Sequence, residues 1–103
     1  MTTKIVFGLN RTEGMDREEF ERYYLEEHAP MAEEMPNVER YTVAFADEGA
    51  PYDALAEVFF ADREALDAAL DSEAGRAAGA DIANFADTDD VLQLVAEETV
   101  VVD

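Results

Sequence analysis

A chain of 103 residues, 49% of them hydrophobic, is long enough for one domain with a packed core and too apolar to stay disordered. Its 26 acidic residues against seven basic ones give a formal net charge of −19, which excludes binding to nucleic acid or an anionic membrane through basic side chains. With no cysteine there are no disulfides, thiolate metal sites or cysteine nucleophiles.

The charge carries a second implication. Carboxylates this dense repel one another in dilute buffer, whereas at molar salt the Debye length falls to roughly 3 Å and the repulsion is screened. The composition, with one lysine, six arginines and abundant alanine, reads as a halophilic protein working in high intracellular salt. The first residues, MTTKIVFG, lack a basic segment followed by an apolar signal core, and the apolar runs are too short to span a membrane. The expectation is a soluble, cytoplasmic protein.

Taken in chain order, residues 4–10 (KIVFGLN) alternate Ile5, Phe7 and Leu9 against Val6, Gly8 and Asn10 and predict a first strand. RTEGM (11–15) is a turn. Asp16, with Glu19 three residues later, forms a capping-box-like start to a helix over about 17–28. Phe20, Tyr24, His28, Met31 and Met35 recur at helical spacing and define its apolar face. Pro30 lacks an amide hydrogen and disfavours helical geometry at the residue before it, so a kink or break follows, with a short turn through Met35.

Residues 38–46 (VERYTVAFA) alternate again as a second strand, 47–53 form a loop, and 54–60 (ALAEVFF) form a third strand. Asp62 caps a second helix, Ser72 restarts it after a bend, and Ala74, Ala77, Ala78, Ile82 and Phe85 continue its apolar face, interrupted by Gly75 and Gly79. DTDD (87–90) is a turn, and 91–102 form a long last strand.

The order β-α-β-β-α-β predicts an α+β, ferredoxin-like domain over residues 1–103, with two helices on one face of a four-stranded antiparallel sheet. Both parities of each strand are apolar: Ile5, Phe7 and Leu9 but also Val6; Tyr41, Val43 and Phe45 but also Val38 and Ala44; Leu55 and Phe59 but also Ala56, Val58 and Phe60; Val91 and Val95 but also Leu92, Leu94 and Ala96. A sheet open to water on one side shows a polar face there, so a second cover is needed, and an identical chain supplies it economically. The expected partner is therefore self, as a homodimer.

The string from Met15 to Pro30, MDREEFERYYLEEHAP, resembles the first-helix signature of the EthD family, small proteins of the dimeric α+β barrel superfamily. MPNVERY (35–41), YDALAEVFF (52–60) and SEAGRAAGADIANFAD (72–87) resemble further family stretches in the right order. Tyr24 stands where the family often has tryptophan, Asn37 where it often has glycine, and Glu73–Ala74 where it often has Pro-Glu. The resemblance implies a dimeric α+β barrel whose relatives include monooxygenases, isomerases and dehydratases acting on small cyclic or aromatic compounds. Family members often carry a reductase label, but this chain has no dinucleotide fingerprint or P-loop behind such a label.

His28 is the only histidine. It is either a general acid/base at the mouth of a cavity between helix and sheet, or a packing residue whose ring bonds a carbonyl freed by Pro30. Glu57 shares strand parity with Leu55 and Phe59, so it is either a second catalytic carboxylate near His28 or a rim residue paired with an arginine such as Arg40. Tyr41 and Tyr24 can each place a hydroxyl in the same cavity. Phe20, Tyr24 and Phe85 are the candidate ligand contacts, Phe85 also reading as core, and Asp81 reads as an acceptor for nearby backbone amides. One histidine without cysteine builds no typical zinc site, so no metal is expected. Haem on His28 is conceivable, but the expectation is no cofactor. The functional expectation is a cofactor-independent enzyme of oxidoreductase, isomerase or lyase type acting on a small hydrophobic molecule. The alternative is a non-catalytic ligand-binding or structural dimer.

Overall fold

The computed structural model describes residues 2–103. The expected element order holds: β1 (Thr2–Leu9), α1 (Arg17–Tyr23), a π-helical turn (Tyr24–His28), α2 (Ala29–Glu33), β2 (Arg40–Phe45), β3 (Ala54–Phe60), α3 (Arg63–Asp71), α4 (Glu73–Asp81), a 3-10 turn (Ile82–Asn84) and β4 (Leu92–Glu98). The four strands form one antiparallel sheet in the order β2-β3-β1-β4, the ferredoxin-like arrangement. Among the described residues no helix is long and apolar enough to cross a membrane.

The helix starts are the predicted ones. The carboxylate of Asp16 accepts from the Glu19 amide, Asp62 from the Ala65 amide and the Ser72 hydroxyl from the Gly75 amide, each satisfying a free first-turn donor. Asn37 has φ +69°, a left-handed conformation that asparagine tolerates better than most residues.

Two expectations are corrected. The helix does not end near His28: it widens into a π turn and runs through Pro30 to Glu33. Proline cannot donate to the Glu26 carbonyl and its ring would press on it, so the chain takes one extra residue and the Ala29 amide reaches back to the Tyr24 carbonyl. That extra residue rotates everything after it. Ala32, not Met31, therefore follows His28 on the buried face, and Met31 is exposed. The last strand is also shorter than 91–102. Glu98 lies opposite Thr2, the first residue of β1, so Val100, Val101 and Val102 run past that strand and stand exposed.

The inner face of the sheet (Ile5, Phe7, Leu9, Tyr41, Val43, Ala54, Ala56, Val58, Phe60) packs against the helices in two adjoining clusters. The outer face is apolar too, as expected. Val6 and Phe59 are buried, Phe59 beneath the Lys4 and Arg40 cations, whereas Leu55 and Leu94 remain 40% and 43% exposed.

Candidate functional site

Between the helices and the inner sheet face lies a cavity of about 290 Å³, at the small end for ligand pockets. Its floor is Ile5, Phe7, Leu9, Ala56 and Val58, and its polar wall is Tyr24, His28 and Tyr41. Gly75, Ala78 and Gly79 of α4 line the opposite side. Glycines that look like helix weaknesses in the sequence thus leave the volume open. Gly75 is also obligatory on packing grounds, since a Cβ there would sit 2.2 Å from the Ala69 carbonyl oxygen.

His28 is 5% exposed and ends the π turn with its ring against Tyr24 and Phe85, at centroid distances of 5.2 and 4.9 Å. Its Nδ1 lies 2.9 Å from Oδ2 of Asp81. The other carboxylate oxygen accepts from the Tyr23 hydroxyl at 2.7 Å and the Asn84 side-chain amide at 3.0 Å. Burial disfavours the Asp81 anion, but the bonds from Asn84, Tyr23 and His28 together outweigh it and hold the carboxyl below its ordinary range. An ionised Asp81 can only accept, so Nδ1 carries the hydrogen and Nε2 the lone pair. Burial lowers the His28 pKa against the opposing pull of Asp81, so the ring is neutral at neutral pH. Nε2 has no protein partner among the described residues, and no buried side-chain nitrogen or oxygen there lacks one, so this atom keeps open surface. His28 is one of the residues that line the cavity.

Asp81 sits at the C-terminal end of α4, where the helix dipole disfavours an anion, and it is 4% exposed. It accepts from side chains of α1, the π turn and the 3-10 turn, not from backbone amides as the sequence implied. Tyr23 and Asn84 were not legible as partners. The available signal was an acid on the same helical stripe as Ala74, Ala78 and Ile82.

Beside His28, the hydroxyls of Tyr24 and Tyr41 approach to 2.6 Å. Burial is the main cause raising both phenol pKa values, so both keep their protons at neutral pH. Tyr24, Tyr41 and His28 are thus brought together on one cavity. Glu57 is not. It lies on the outer face of the sheet, opposite Val6 and Thr42, and its carboxylate pairs at 2.7 Å with Lys4, not with an arginine. Strand parity forces this, because Ala56 and Val58 on either side face the cavity. Phe20 and Phe85 are both wholly buried and form the packing behind Tyr24 and His28; neither lines the cavity. Among the described residues no cluster of His, Asp and Glu could hold a metal ion.

An uncharacterized 11.0 kDa protein from the thcB–thcC intergenic region of Rhodococcus erythropolis is 33% identical over 85 residues, 79% of this chain and 82% of the relative. An EthD family protein of Bacillus halodurans superposes with a TM-score of 0.82 at 23% identity, over 96% of this chain and 100% of that one. A dimeric ferredoxin-like protein of unknown function from Thermobifida fusca gives 0.73 at 15% identity, over 93% and 90%. SnoaB of Streptomyces nogalater, a cofactor-independent oxygenase, gives 0.70 at 15% identity, over 97% of each chain. The EthD domain profile matches residues 12–89, which hold Tyr24, His28, Tyr41 and Asp81. The chain belongs to the EthD family.

Proposed function

We propose that this protein is a homodimeric acid–base enzyme acting on a small, largely apolar molecule, with His28 as the proton acceptor. The observation that carries the reading is the His28–Asp81 bond, which leaves Nε2 as the basic nitrogen of a ring that lines a mostly apolar cavity. A base in such a place removes a proton without help from a bound cofactor, and positioned side chains of this kind contribute roughly 10²–10⁴-fold to rate. That the same fold serves a cofactor-independent oxygenase in Streptomyces nogalater supports the choice, although the proposal for this chain stops at proton transfer. The reductase label of relatives is not carried over, because the sequence holds no nicotinamide-binding motif.

The dimer is supported by the exposed leucines of the outer sheet face and by the dimeric ferredoxin-like relative of similar fold. High-salt adaptation is supported by the ion pairs. Six of the seven basic side chains already bridge to carboxylates, and Arg40, the seventh, sits over Phe59. Most of the 26 acids therefore have no cation beside them.

A second reading has its own observation. The Asp81 carboxylate ties α1, the π turn and the 3-10 turn together, which is what a purely structural histidine–aspartate pair does. Small molecules co-purifying with the protein, identified by mass spectrometry, give the substrates to assay. The enzyme reading expects His28→Ala to lower turnover by roughly 10²-fold or more while the dimer persists. Unchanged turnover with a lowered melting temperature establishes the structural reading instead.

A further inference from the structure

The tyrosine pair is asymmetric, and the asymmetry specifies a ligand. Two hydroxyls 2.6 Å apart share one hydrogen, so the pair keeps one hydrogen free. Tyr24 is 1% exposed with Tyr41 as its sole hydroxyl partner, whereas Tyr41 is half-buried on the rim of the cavity. If Tyr41 donated, the Tyr24 hydrogen would be stranded in the more deeply buried wall. The satisfied arrangement has Tyr24 donating to the Tyr41 oxygen. The Tyr41 hydrogen then has no protein acceptor among the described residues and is free for a ligand in the cavity that Tyr41 lines. A hydroxyl that accepts a bond while donating another is also the stronger donor of the two.

Resting on the reading of His28 as a base, we propose that the substrate class is a small apolar ketone with a hydrogen on the carbon next to its carbonyl, the carbonyl oxygen held by Tyr41 and that hydrogen facing His28. The lining fits a ligand with a single polar end, because Gln93 is the one further polar side chain among the cavity residues. The base and the donor are separate points, since His28 makes no hydrogen bond to either tyrosine and Nδ1 is committed to Asp81. Such a pair matches an atom that loses a proton and a neighbouring oxygen that gains the charge. His28 Nε2 takes the α-hydrogen as a proton. The electron pair of the C–H bond becomes the C=C bond of an enolate, and the carbonyl π pair moves onto oxygen, where the Tyr41 O–H donates to the developing charge. Return of a proton from His28 to carbon restores the ketone, so no oxidant or reductant is required. Tyr24 is a positioning residue: it acts on the ligand only by donating to Tyr41.

Two measurements on the intact protein separate this from the reading beneath it. The first is calorimetric titration with β-tetralone and with tetralin, its ketone-free counterpart, to obtain the ratio of the two affinities. Tyr41→Phe should reduce that ratio roughly tenfold, the worth of one good hydrogen bond, whereas His28→Ala should leave it unchanged. Tyr24→Phe should give an intermediate ratio, and the double variant should match Tyr41→Phe alone; a further loss in the double variant makes Tyr24 merely structural. The second is the rate at which β-tetralone exchanges its α-hydrogens in deuterium oxide, followed by proton NMR. The wild type should accelerate exchange, and both His28→Ala and Tyr41→Phe should abolish most of that acceleration. A ratio untouched by Tyr41→Phe, or no binding of β-tetralone to the wild type, overturns the ketone assignment. A ratio that collapses in Tyr41→Phe without any exchange by the wild type leaves Tyr41 as the oxygen-binding group and removes His28 as the base.

Discussion

Asp81 Oδ2 and His28 Nδ1 lie 2.9 Å apart, joining the end of α4 to the π turn that Pro30 imposes on the first helix. The pair sets the tautomer, and through it the chemistry that His28 can do. Asp81→Asn keeps the size but can present either an acceptor or a donor to Nδ1, and it weakens the bonds from Tyr23 and Asn84. Loss of one buried charged acceptor costs about 1–3 kcal/mol, so the melting temperature should fall by several degrees. Turnover should drop more than stability explains, because part of the population holds the hydrogen on Nε2. Equal activity of Asp81→Asn and wild type at a temperature where both are folded would show that the aspartate serves packing alone. Nitrogen NMR of the imidazole reads the tautomer directly.

The same pair predicts an acid response. The folded His28 titrates below the ordinary 6.5, mainly because it is buried, so below pH 6.5 the unfolded chain takes up a proton that the folded chain refuses. Stability should be flat above that point and decline as pH falls through the folded value. Asp81 adds a second decline, starting below its ordinary 3.8, since its folded value is also depressed. Neutralising surface carboxylates acts in the opposite sense, so wild type should be compared with His28→Leu. The variant should lack the upper decline; matching curves for the two proteins between pH 4 and 7 refute the assignment. Activity should follow the neutral form, rising through the same titration to a plateau.

Two glycines of α4 should respond in opposite directions. A Cβ on Gly75 meets the Ala69 and Leu70 backbone at 2.2 and 2.7 Å, where α3 bends into α4 and nothing flexible can yield. Gly75→Ala should therefore cost about 2 kcal/mol or more, through forced backbone movement. Gly79 has open space at its Cβ position, so Gly79→Ala gains helix propensity of roughly 0.5–1 kcal/mol. Because Gly79 lines the cavity, the gain should come with weaker binding of bulky ligands. Chemical denaturation of the two variants gives both signs.

The strands and caps were legible because each rests on local rules: alternation within each strand, and Asp16, Asp62 and Ser72 at helix starts. Position of His28 on the buried face was legible from its spacing to Tyr24. The π turn was not, because proline signals a break without saying whether the helix stops or absorbs it by adding a residue. That one residue moved Met31 out of the core and Ala32 in. Glu57 was legible as belonging with Leu55 and Phe59, but not as Lys4's partner, since which face the helices cover depends on all four strands together. Asp81 shows the limit most sharply. Its three donors come from Tyr23, His28 and Asn84, two of them more than fifty residues away in sequence.

The outer sheet face offers a direct test of the dimer. Leu94 lies opposite Val6, and Leu55 and Leu92 flank Gly8, forming an apolar patch around the Lys4–Glu57 pair. If a second copy covers this face, Leu94→Lys buries an unpaired charge there, and light scattering at high salt should report 11.4 kDa where the wild type gives twice that mass. A wild type that is itself monomeric refutes the dimer. A variant that stays dimeric keeps the dimer but refutes the outer sheet face as its interface.

Salt should act on stability through the unpaired carboxylates. Between 0.1 M and 1 M KCl the Debye length shrinks from about 10 Å to about 3 Å. Repulsion across a surface of net charge −19 is then confined to nearest neighbours. If that relief amounts to about 2 kcal/mol, the melting temperature should rise by on the order of 10 °C for a chain of this size. Glu→Gln and Asp→Asn exchanges at several exposed acids distant from the cavity should raise stability at low salt and have little effect at high salt, because they remove the same repulsion. A melting temperature that does not move between dilute buffer and molar KCl would mean the acidic surface is well tolerated without screening, and the halophilic reading would fall.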